Sequence, residues 1–404
     1  MSEPILTSGE LLARFQALDS FLLQHQALWR PRPFYHLRLP WEAELPELAA
    51  WLRSRSLEQA QASDSDLFAL AAPAPFTELA RQAQALSQLG ELPSRDAPAR
   101  SPNLSVDVPG RKLAQIQAFA SHLQFQQQPT HWLDWCSGKG HLGRWLTQTD
   151  QRLTCLEYDP ALIESGSALS KRLGLDAMHL QQDVLAGDCS ERLSKEHTPV
   201  ALHACGDLHV RLLQLASRNG CSQLAVAPCC YNRIAGKQYQ TLSTAAQASA
   251  LQLSRDDLGL PLSETVTAGA RVRRQRDQSM AWRLAFDLLQ RQLRGIDEYL
   301  PTPSLPSEWL SKPFARFCHD LAALKGVASP GEQDWATLEA SGWQRLAEVR
   351  NLELLRNLFR RPLELWLLLD RALYLDEQGY SVRLGTFCDY QLSPRNLLLL
   401  AERA

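Results

Sequence analysis

A glycine-rich segment, His131–Gly143, is the feature that most restricts the fold of this chain. Gly138, Gly140 and Gly143 form a GxGxxG pattern that follows a short apolar run and precedes a segment with helical spacing. Glycines in such a loop let the backbone approach a ligand closely, because a Cβ atom there would collide with it. The pattern predicts a strand, a ligand-binding loop and a helix, which is the first unit of a nucleotide-binding α/β fold.

Apolar runs and helical segments alternate after this loop. The predicted strands are His131–Trp135, Leu153–Glu157, Met178–Asp183, Pro199–His203 and Gln223–Ala227. After a long interval, Arg361–Gln378 predicts a helix, and Ser381–Phe387 and Asn396–Leu400 predict two strands with a short connection. Five strands with helical crossovers indicate a parallel doubly wound sheet, which the last two strands close as an antiparallel pair. We therefore predict an α/β fold with a Rossmann-like, seven-stranded sheet of the class I methyltransferase topology.

The chain divides into four predicted regions. Residues 1–105 are predicted to be helical and to end in a linker, because Leu and Phe recur at helical spacing and residues 90–109 contain four prolines. Residues 106–235 form the predicted core, residues 236–345 a mixed helical insertion, and residues 346–404 the C-terminal completion of the sheet.

Composition restricts the class of protein. The 42 Lys and Arg residues nearly balance the 44 Asp and Glu residues, which excludes a broadly basic coat for nucleic acid but leaves room for a local basic patch. No apolar run approaches the ~20 residues of a membrane span and no secretory signal is evident, so we expect a cytoplasmic protein without membrane contact. The nine cysteines lack CxxC-like spacing, which predicts reduced thiols and no metal site.

The glycine loop has two chemical interpretations. Glu157 follows it at the distance of a ribose-binding acid, as in a dinucleotide site. Asp134, directly before the loop, would repel a pyrophosphate but attract the amino group of S-adenosylmethionine, and Asp183 can accept a hydrogen bond from an adenine amine. We therefore predict S-adenosylmethionine; a dinucleotide, or a nucleotide-type fold without a cofactor, is the alternative. The predicted cofactor-binding residues are Asp134, Cys136, Gly138, Lys139, Gly140, Glu157, Asp183, Val184 and His203.

Two further motifs, Leu202–Leu208 and Ala227–Arg233, follow the fourth and fifth predicted strands. Ligands of an open α/β sheet bind beyond the carboxyl ends of its strands, so both motifs face the crevice of the glycine loop. The predicted catalytic residues are His203, Asp207, Cys229, Cys230, Tyr231 and Asn232. A histidine or aspartate there would act as base toward a ribose hydroxyl, and the Tyr-Asn pair would stack on and hydrogen-bond a flipped base. Structural roles are the alternative, and a metal, an iron–sulfur cluster or a cysteine nucleophile are minor ones.

Four motifs carry a family resemblance. They are Asp134–Gly140, His203–Gly206, Pro228–Tyr231 and Leu392–Asn396. Together they resemble the methyltransferase-like family that includes the ribosomal-RNA-adenine-dimethylase-domain-containing proteins and the methyltransferase part of the glutathione-S-transferase-C-terminal-domain-containing protein. More distantly, they are similar to the tRNA acceptor-stem 2′-O-methyltransferases, which have histidines at the positions of Tyr231 and Asn232. The resemblance implies S-adenosylmethionine binding at Asp134, Gly138, Gly140 and Glu157, and its distant branch implies an RNA acceptor.

The resulting prediction is an enzyme, an S-adenosylmethionine-dependent methyltransferase that acts on RNA, either tRNA or rRNA. The basic run Arg271–Arg276, with Arg283, Arg291 and Arg294, would contact phosphates or form an ordinary solvated helical face. Arg395 and Asn396 would line the mouth of the acceptor site or cap the last strand. A protein or small-molecule methyltransferase, and a non-catalytic binding scaffold with the same fold, are the alternatives.

Overall fold

The computed structural model of the chain describes residues 4–64, 66–95, 102–263 and 269–403. Its strands are β1 (Leu6–Thr7), β2 (His131–Trp135), β3 (Arg152–Glu157), β4 (Ala177–Gln181), β5 (His197–Cys205), β6 (Gln223–Cys229), β7 (Tyr380–Thr386) and β8 (Leu397–Arg403). Its α-helices are α1 (Ser8–Gln24), α2 (Gln26–Trp29), α3 (Pro46–Arg53), α4 (Leu57–Asp64), α5 (Phe76–Ser87), α6 (Gly110–His122), α7 (His141–Leu146), α8 (Pro160–Arg172), α9 (Asp207–Arg218), α10 (Thr244–Gln247), α11 (Ala270–Arg294), α12 (Phe314–Leu324), α13 (Trp335–Asn357) and α14 (Arg360–Glu377). Part of the predicted linker, residues 96–101, lies outside the described residues.

The strands form one sheet in the order β1-β7-β8-β6-β5-β2-β3-β4. Strands β2 to β6 run parallel, whereas β8 lies antiparallel between β6 and β7. The predicted fold class is therefore confirmed. The sheet has eight strands instead of the predicted seven, because β1 adds an antiparallel edge strand to β7. Two residues are too few to show the alternation by which a strand is recognised in a sequence.

The central strands are buried on both faces. Every residue of β6 is buried, and β2, β3 and β5 are buried over most of their length. Helices cover both faces of a parallel sheet, so its strands are continuous apolar runs instead of alternating ones. Phe119 of α6 packs edge-on against Phe387, with 5.8 Å between the ring centroids, and anchors one helix to this core.

The chain folds into two compact units, and each unit joins segments that are distant in the sequence. The first unit comprises Met1–Leu23, Leu86–Val266 and Arg361–Ala404 and contains the sheet. The second unit comprises Gln24–Ala85 and Thr267–Arg360 and is helical. Among the described residues, no helix has the length and apolar character that a membrane span requires.

Helices α11 and α13 pack against each other in the second unit. The small side chain of Ala281 and the leucines Leu284 and Leu346 meet where these helices pack, and all three residues are fully buried or nearly so. Elsewhere in this unit, Arg53 forms ion pairs with Glu42 at 2.7 Å and with Glu348 at 2.6 Å. Apolar packing and ion pairs therefore link the N-terminal helices to a segment about 300 residues later, as expected when tertiary packing supplies most helical stability.

A buried arginine connects several elements of the first unit. Arg371 of α14 is 1% exposed, and its Nε donates to His209 Nε2 at 2.7 Å. Its Nη1 donates to the hydroxyl of Tyr239 at 2.9 Å, and that hydroxyl donates to Asp370. The guanidinium carbon also lies 5.1 Å from the ring centroid of Tyr231. Burial and the charge of Arg371 hold the pKa of His209 well below its usual value, so this histidine is neutral and accepts the bond.

Replacement of Arg371 by methionine is expected to lower the free energy of unfolding by roughly 3–5 kcal/mol, because it leaves His209 Nε2 and the hydroxyl of Tyr239, which bonds to the buried Asp370, without their cationic donor. Arg218→Met is the matched control, since it removes an exposed arginine from a helix of the same unit and should change stability by less than ~0.5 kcal/mol. Urea unfolding followed by circular dichroism measures both. Equal midpoints for the two variants would show that the buried network contributes nothing.

Candidate functional site

A cavity of about 550 Å³ lies at the C-terminal ends of β2 and β5. Residues of the glycine loop, the start of α6 and the end of β5 line it, among them Lys112, Gln115, Asp134, Gly138 and His203. This volume falls within the range of small-molecule sites, roughly 300–1,000 Å³. The sheet edge therefore offers a concave site that includes four of the predicted cofactor-binding residues, Asp134, Cys136, Gly138 and His203.

The glycine loop between β2 and α7 adopts an unusual backbone. Cys136, Gly138 and Gly140 have φ values of 55°, 56° and 73°. A cysteine rarely adopts this left-handed conformation, which costs about 1–3 kcal/mol and is typical of functional sites. No heavy atom lies within 4 Å of the position that a Cβ on Gly138 would occupy, so the loop faces open space there. The loop therefore presents its backbone at Gly138 to open space beside the cavity.

Asp134 forms the buried floor of the cavity. It is 2% exposed, and its Oδ2 accepts a hydrogen bond from the backbone N–H of Gly143 at 2.8 Å. Burial raises the pKa of its carboxyl from 3.8 to about 6, although the Gly143 bond and the charges of Lys112 and Arg144 oppose the shift. A buried carboxylate of this kind is stabilised when a cationic group binds beside it.

Glu157 ends β3 and is already engaged by the backbone. Its Oε2 accepts from Gly138 N at 2.7 Å, and its Oε1 accepts from Tyr158 N at 2.9 Å and Asp159 N at 3.1 Å. A carboxylate offers about four lone-pair positions, so these three bonds leave about one for a ligand. To accept hydrogen bonds from two ribose hydroxyls at once, Glu157 would have to give up one of its three hydrogen bonds from the backbone.

Three other predicted cofactor residues have different surroundings. Asp183 is exposed in the turn after β4 and accepts from Leu185 N at 3.0 Å, whereas the neighbouring Val184 is buried. Lys139 is half-buried in the glycine loop, and its backbone carbonyl accepts from Arg144 at 2.6 Å. None of the three lines the cavity described above.

His203 projects from an irregular position at the end of β5. The pairing of β5 with β6 shifts between Leu202 and Ala204, and His203 itself has a φ of 63°. Its Nε2 lies 3.2 Å from Gln115 Oε1. Burial lowers its pKa to about 4, so the ring is neutral near pH 7 and is a weak base. This histidine is suited to accept a hydrogen bond and to position a substrate.

Three cysteines meet at the ends of β5 and β6, and two of them, Cys229 and Cys230, are among the predicted catalytic residues. The sulfur atoms of Cys205, Cys229 and Cys230 all lie within 4.8 Å of one another, and Cys205 and Cys229 are 3.5 Å apart. Cys136 does not belong to this group. The irregular sequence spacing predicts no metal site, but two adjacent parallel strands bring these thiols together in a way that spacing does not reveal.

The loop after β6 is anchored through Gly206 and Asp207. A Cβ on Gly206, which has a φ of 48°, would lie 2.0 Å from the carbonyl oxygen of Arg233. Asp207 N donates to that same oxygen at 3.0 Å, and Asp207 Oδ2 accepts from Ala235 N at 2.7 Å. The carboxylate of Asp207 therefore helps to hold the loop in place, and its role as a base stays a prediction.

Tyr231 lies in the interior. It is 1% exposed, its ring meets that of His209 edge-on at 5.9 Å, and Arg371 lies over its face. A ring in this position has no free face for a substrate base, so the structure does not bring it into the site. Asn232 is half-buried beside it. Asn396 is buried and donates to Cys388 O at 2.8 Å, as expected of a residue that caps the last strand.

Positively charged side chains lie around the C-terminal ends of β5 and β6. The charges of Arg111, Lys112 and Arg395 act on His203, and those of Arg233 and Arg395 act on Cys230. Sequence reasoning singled out Arg395 but missed the contribution of α6, from which Arg111, Lys112 and Gln115 reach the cavity. The adjacent Arg-Lys pair at the start of a helix before the first core strand was the available signal.

Comparison with known proteins agrees with this architecture. Residues 111–237 match the family model of a methyltransferase domain, a segment that includes the glycine loop, the His203 motif and the three cysteines. No curated protein matches the chain. The chain therefore carries a methyltransferase domain, and the predicted enzyme class is confirmed. The match supports the methyltransferase-like resemblance in general, while the closer relation to rRNA or tRNA enzymes stays a prediction.

Asp134→Asn is expected to stabilise the ligand-free protein, and increasingly so as the pH rises. The raised pKa means that the folded state holds a proton between about pH 4 and pH 6 that the unfolded state has lost, so wild-type stability falls across this window. Asparagine keeps an acceptor for Gly143 N–H and removes this fall, a difference of at most roughly 3 kcal/mol above about pH 7. Thermal unfolding at several pH values, with the exposed Asp150→Asn as control, measures the effect; parallel curves for wild type and Asp134→Asn would contradict it.

Proposed function

We propose that this chain transfers a methyl group from S-adenosylmethionine to an RNA. The observation that carries the proposal is the cavity in which the open backbone of the glycine loop lies beside the buried carboxylate of Asp134. The methyltransferase domain match supplies the reaction class. The nature of the donor and of the acceptor is argued from the residues that line and surround this cavity.

The charge and the size of the cavity support S-adenosylmethionine as the methyl donor. Asp134, whose burial disfavours its ionised form, gains a counter-charge from the amino group of the amino-acid part. The space above Gly138 accommodates the donor against the loop, and the remaining lone pair of Glu157 can accept from one ribose hydroxyl. When bound, S-adenosylmethionine supplies an activated methyl group on a positively charged sulfur.

The protein contributes mainly position to such a reaction. Methyl transfer needs the acceptor atom within ~3 Å of the methyl carbon and in line with the departing sulfur. His203 is neutral at pH 7 with a pKa of about 4 and is a weak base, while one carboxylate oxygen of Asp207 accepts from the loop backbone. These residues favour an exocyclic amine or a ring nitrogen of a base over a ribose hydroxyl as the acceptor.

The cations around the site support an acceptor with phosphates. Lys112 is exposed at the start of α6 and Arg233 in the loop after β6, while the neighbouring Arg111, also exposed, donates to Leu392 O at 2.7 Å. The chain as a whole has a formal net charge of −2, so this local concentration of positive charge is not a consequence of composition. Phosphate contacts by Lys and Arg supply most of the affinity of proteins for nucleic acids and position the strand.

The helical unit offers further exposed arginines. Arg271, Arg273 and Arg274 lie exposed in the first turns of α11, where positive charge is unfavourable next to the positive end of the helix dipole. Arg283 and Arg291 are instead engaged within the unit, with Pro303 O at 2.7 Å and with Asp287 at 2.9 Å. We therefore propose that the exposed first part of the predicted run, rather than Arg283 and Arg291, contacts phosphates.

Isothermal titration calorimetry with S-adenosylmethionine tests the donor. Affinity is expected to rise up to about tenfold per pH unit below about pH 6, as Asp134 ionises, and to level off above about pH 7. Asp134→Asn should weaken binding at least ~10-fold at pH 7, where Asp134 is mostly ionised and the amino group of the donor is still charged. Asp150→Asn is the control and should bind like wild type. Absence of binding by the wild type would favour a non-catalytic scaffold.

Nucleoside mass spectrometry tests the acceptor. RNA from a strain that lacks the gene should lose one methylated base from tRNA or rRNA, and the wild-type gene, but not Asp134→Asn, should restore it. A modified ribose instead of a base would contradict the inference drawn from His203. An unchanged profile in both RNA classes, with intact donor binding, would show that the acceptor is a protein or a small molecule.

A further inference from the structure

We propose that Cys205, Cys229 and Cys230 bind one thiophilic metal ion of the zinc class through three thiolates, with a fourth coordination position left for an exogenous ligand. This site lies at the ends of β5 and β6, beside the cavity but not among the residues that line it. The proposal rests on the positions of the three sulfur atoms, on the backbone that brings them together and on the charges around them.

The sulfur positions match a single ion. Zinc binds thiolates at ~2.3 Å in tetrahedral geometry, which separates the sulfurs by about 3.8 Å. Cys205 and Cys229 are 3.5 Å apart, and all three sulfurs lie within 4.8 Å of one another. Small side-chain adjustments therefore suffice to place one ion in contact with all of them. An iron–sulfur cubane holds each cysteine on a separate iron and needs a wider group.

The backbone is arranged so that the three side chains converge. Cys205 and Cys229 are direct neighbours in the register of two parallel strands, which brings their side chains to the same face. Cys230 follows immediately, and successive side chains of an extended strand point to opposite faces. A φ of 46° at Cys230 reverses that direction, at a cost of about 1–3 kcal/mol for a non-glycine residue. A ligand that uses all three sulfurs explains why this strained conformation is present.

The charges around the group suit three thiolates with a divalent ion. Such a complex carries a net charge of −1, and the positive charges of Arg395 and Arg233 act on Cys230. A disulfide is a poorer explanation, because any pairing would engage two of the three sulfurs and leave the third without a role. Among the described residues, no fourth His, Cys, Asp or Glu joins the group.

An open fourth position distinguishes a reactive zinc site from a purely structural one. The carbonyl of His203 lies 3.1 Å from the sulfur of Cys229, and His203 lines the cavity of the methyl donor. If the proposed function is correct, the ion lies near the acceptor and can hold one of its heteroatoms. The metal site itself does not depend on that function.

Metal analysis of the full-length chain, purified under reducing conditions without chelator, is the first test. We expect about one zinc per chain in the wild type and less than about 0.1 in Cys205→Ser, Cys229→Ser and Cys230→Ser. Cys221→Ser is the matched control, because Cys221 is a buried cysteine outside the group whose thiol donates to Ser194 O at 3.3 Å, a bond that serine can keep. It should retain the metal. Equal metal content in all five proteins would overturn the proposal.

Cobalt titration of metal-stripped wild type is independent of any variant's folding. Binding of one Co²⁺ should produce the charge-transfer absorption of thiolate ligands and release up to about three protons, since the ligating thiols must ionise. Absence of that absorption, or a disulfide between two of these cysteines in protein that was never exposed to oxidant, would overturn the site. Titration of the same samples with S-adenosylmethionine separates the two proposals. If the protein binds S-adenosylmethionine but no metal, only the metal site is contradicted. If it binds metal but not S-adenosylmethionine, only the proposed function is contradicted.

Discussion

Several elements of the first unit depend on one buried arginine, Arg371. The guanidinium of Arg371 lies in the core, where a charge is tolerated only when it is hydrogen-bonded. It donates to His209 of α9, to Tyr239 in the segment after β6 and to the carbonyl of Leu367 in its own helix. The other ring nitrogen of His209, Nδ1, lies within hydrogen-bond distance (3.0 Å) of the carbonyl oxygen of Ala204, the residue before Cys205. Arg371 therefore stabilises the ends of β5 and β6 through His209 and Tyr231. The predicted acceptor residues lie at this edge of the sheet.

Local sequence patterns predict most of the strands and helices of this fold, but they do not predict which distant segments pack together. Apolar runs and helical spacing located β2 to β8 of the sheet to within a few residues, because parallel strands and amphipathic helices have distinct periodicities. The two-residue strand β1 has no periodicity to detect. The association of residues 24–85 with residues 267–360 rests on tertiary interactions such as that of Arg53 with Glu348, which no local pattern encodes.

The candidate site divides in the same way. Asp134 and Gly138 were predicted from their place around a glycine loop, and both line the cavity. Tyr231 was assigned to the acceptor because it follows a strand end, yet its ring turns inward to Arg371. Strand-end position determines which edge of a sheet a residue occupies, whereas the direction of its side chain depends on backbone angles that residue type alone does not fix.

Those backbone angles connect the fold to its chemistry. Among the described residues, four that are not glycine have a positive φ, and three of them, Cys136, His203 and Cys230, lie at the ends of β2, β5 and β6. Each such conformation costs about 1–3 kcal/mol and persists only where the surroundings enforce it. The buried residues of β2, β5 and β6 hold these positions in place. The positive φ values therefore direct the glycine loop after Cys136, the imidazole of His203 and the thiol of Cys230 toward the same edge of the sheet. In regular extended strands, successive side chains would point to opposite faces.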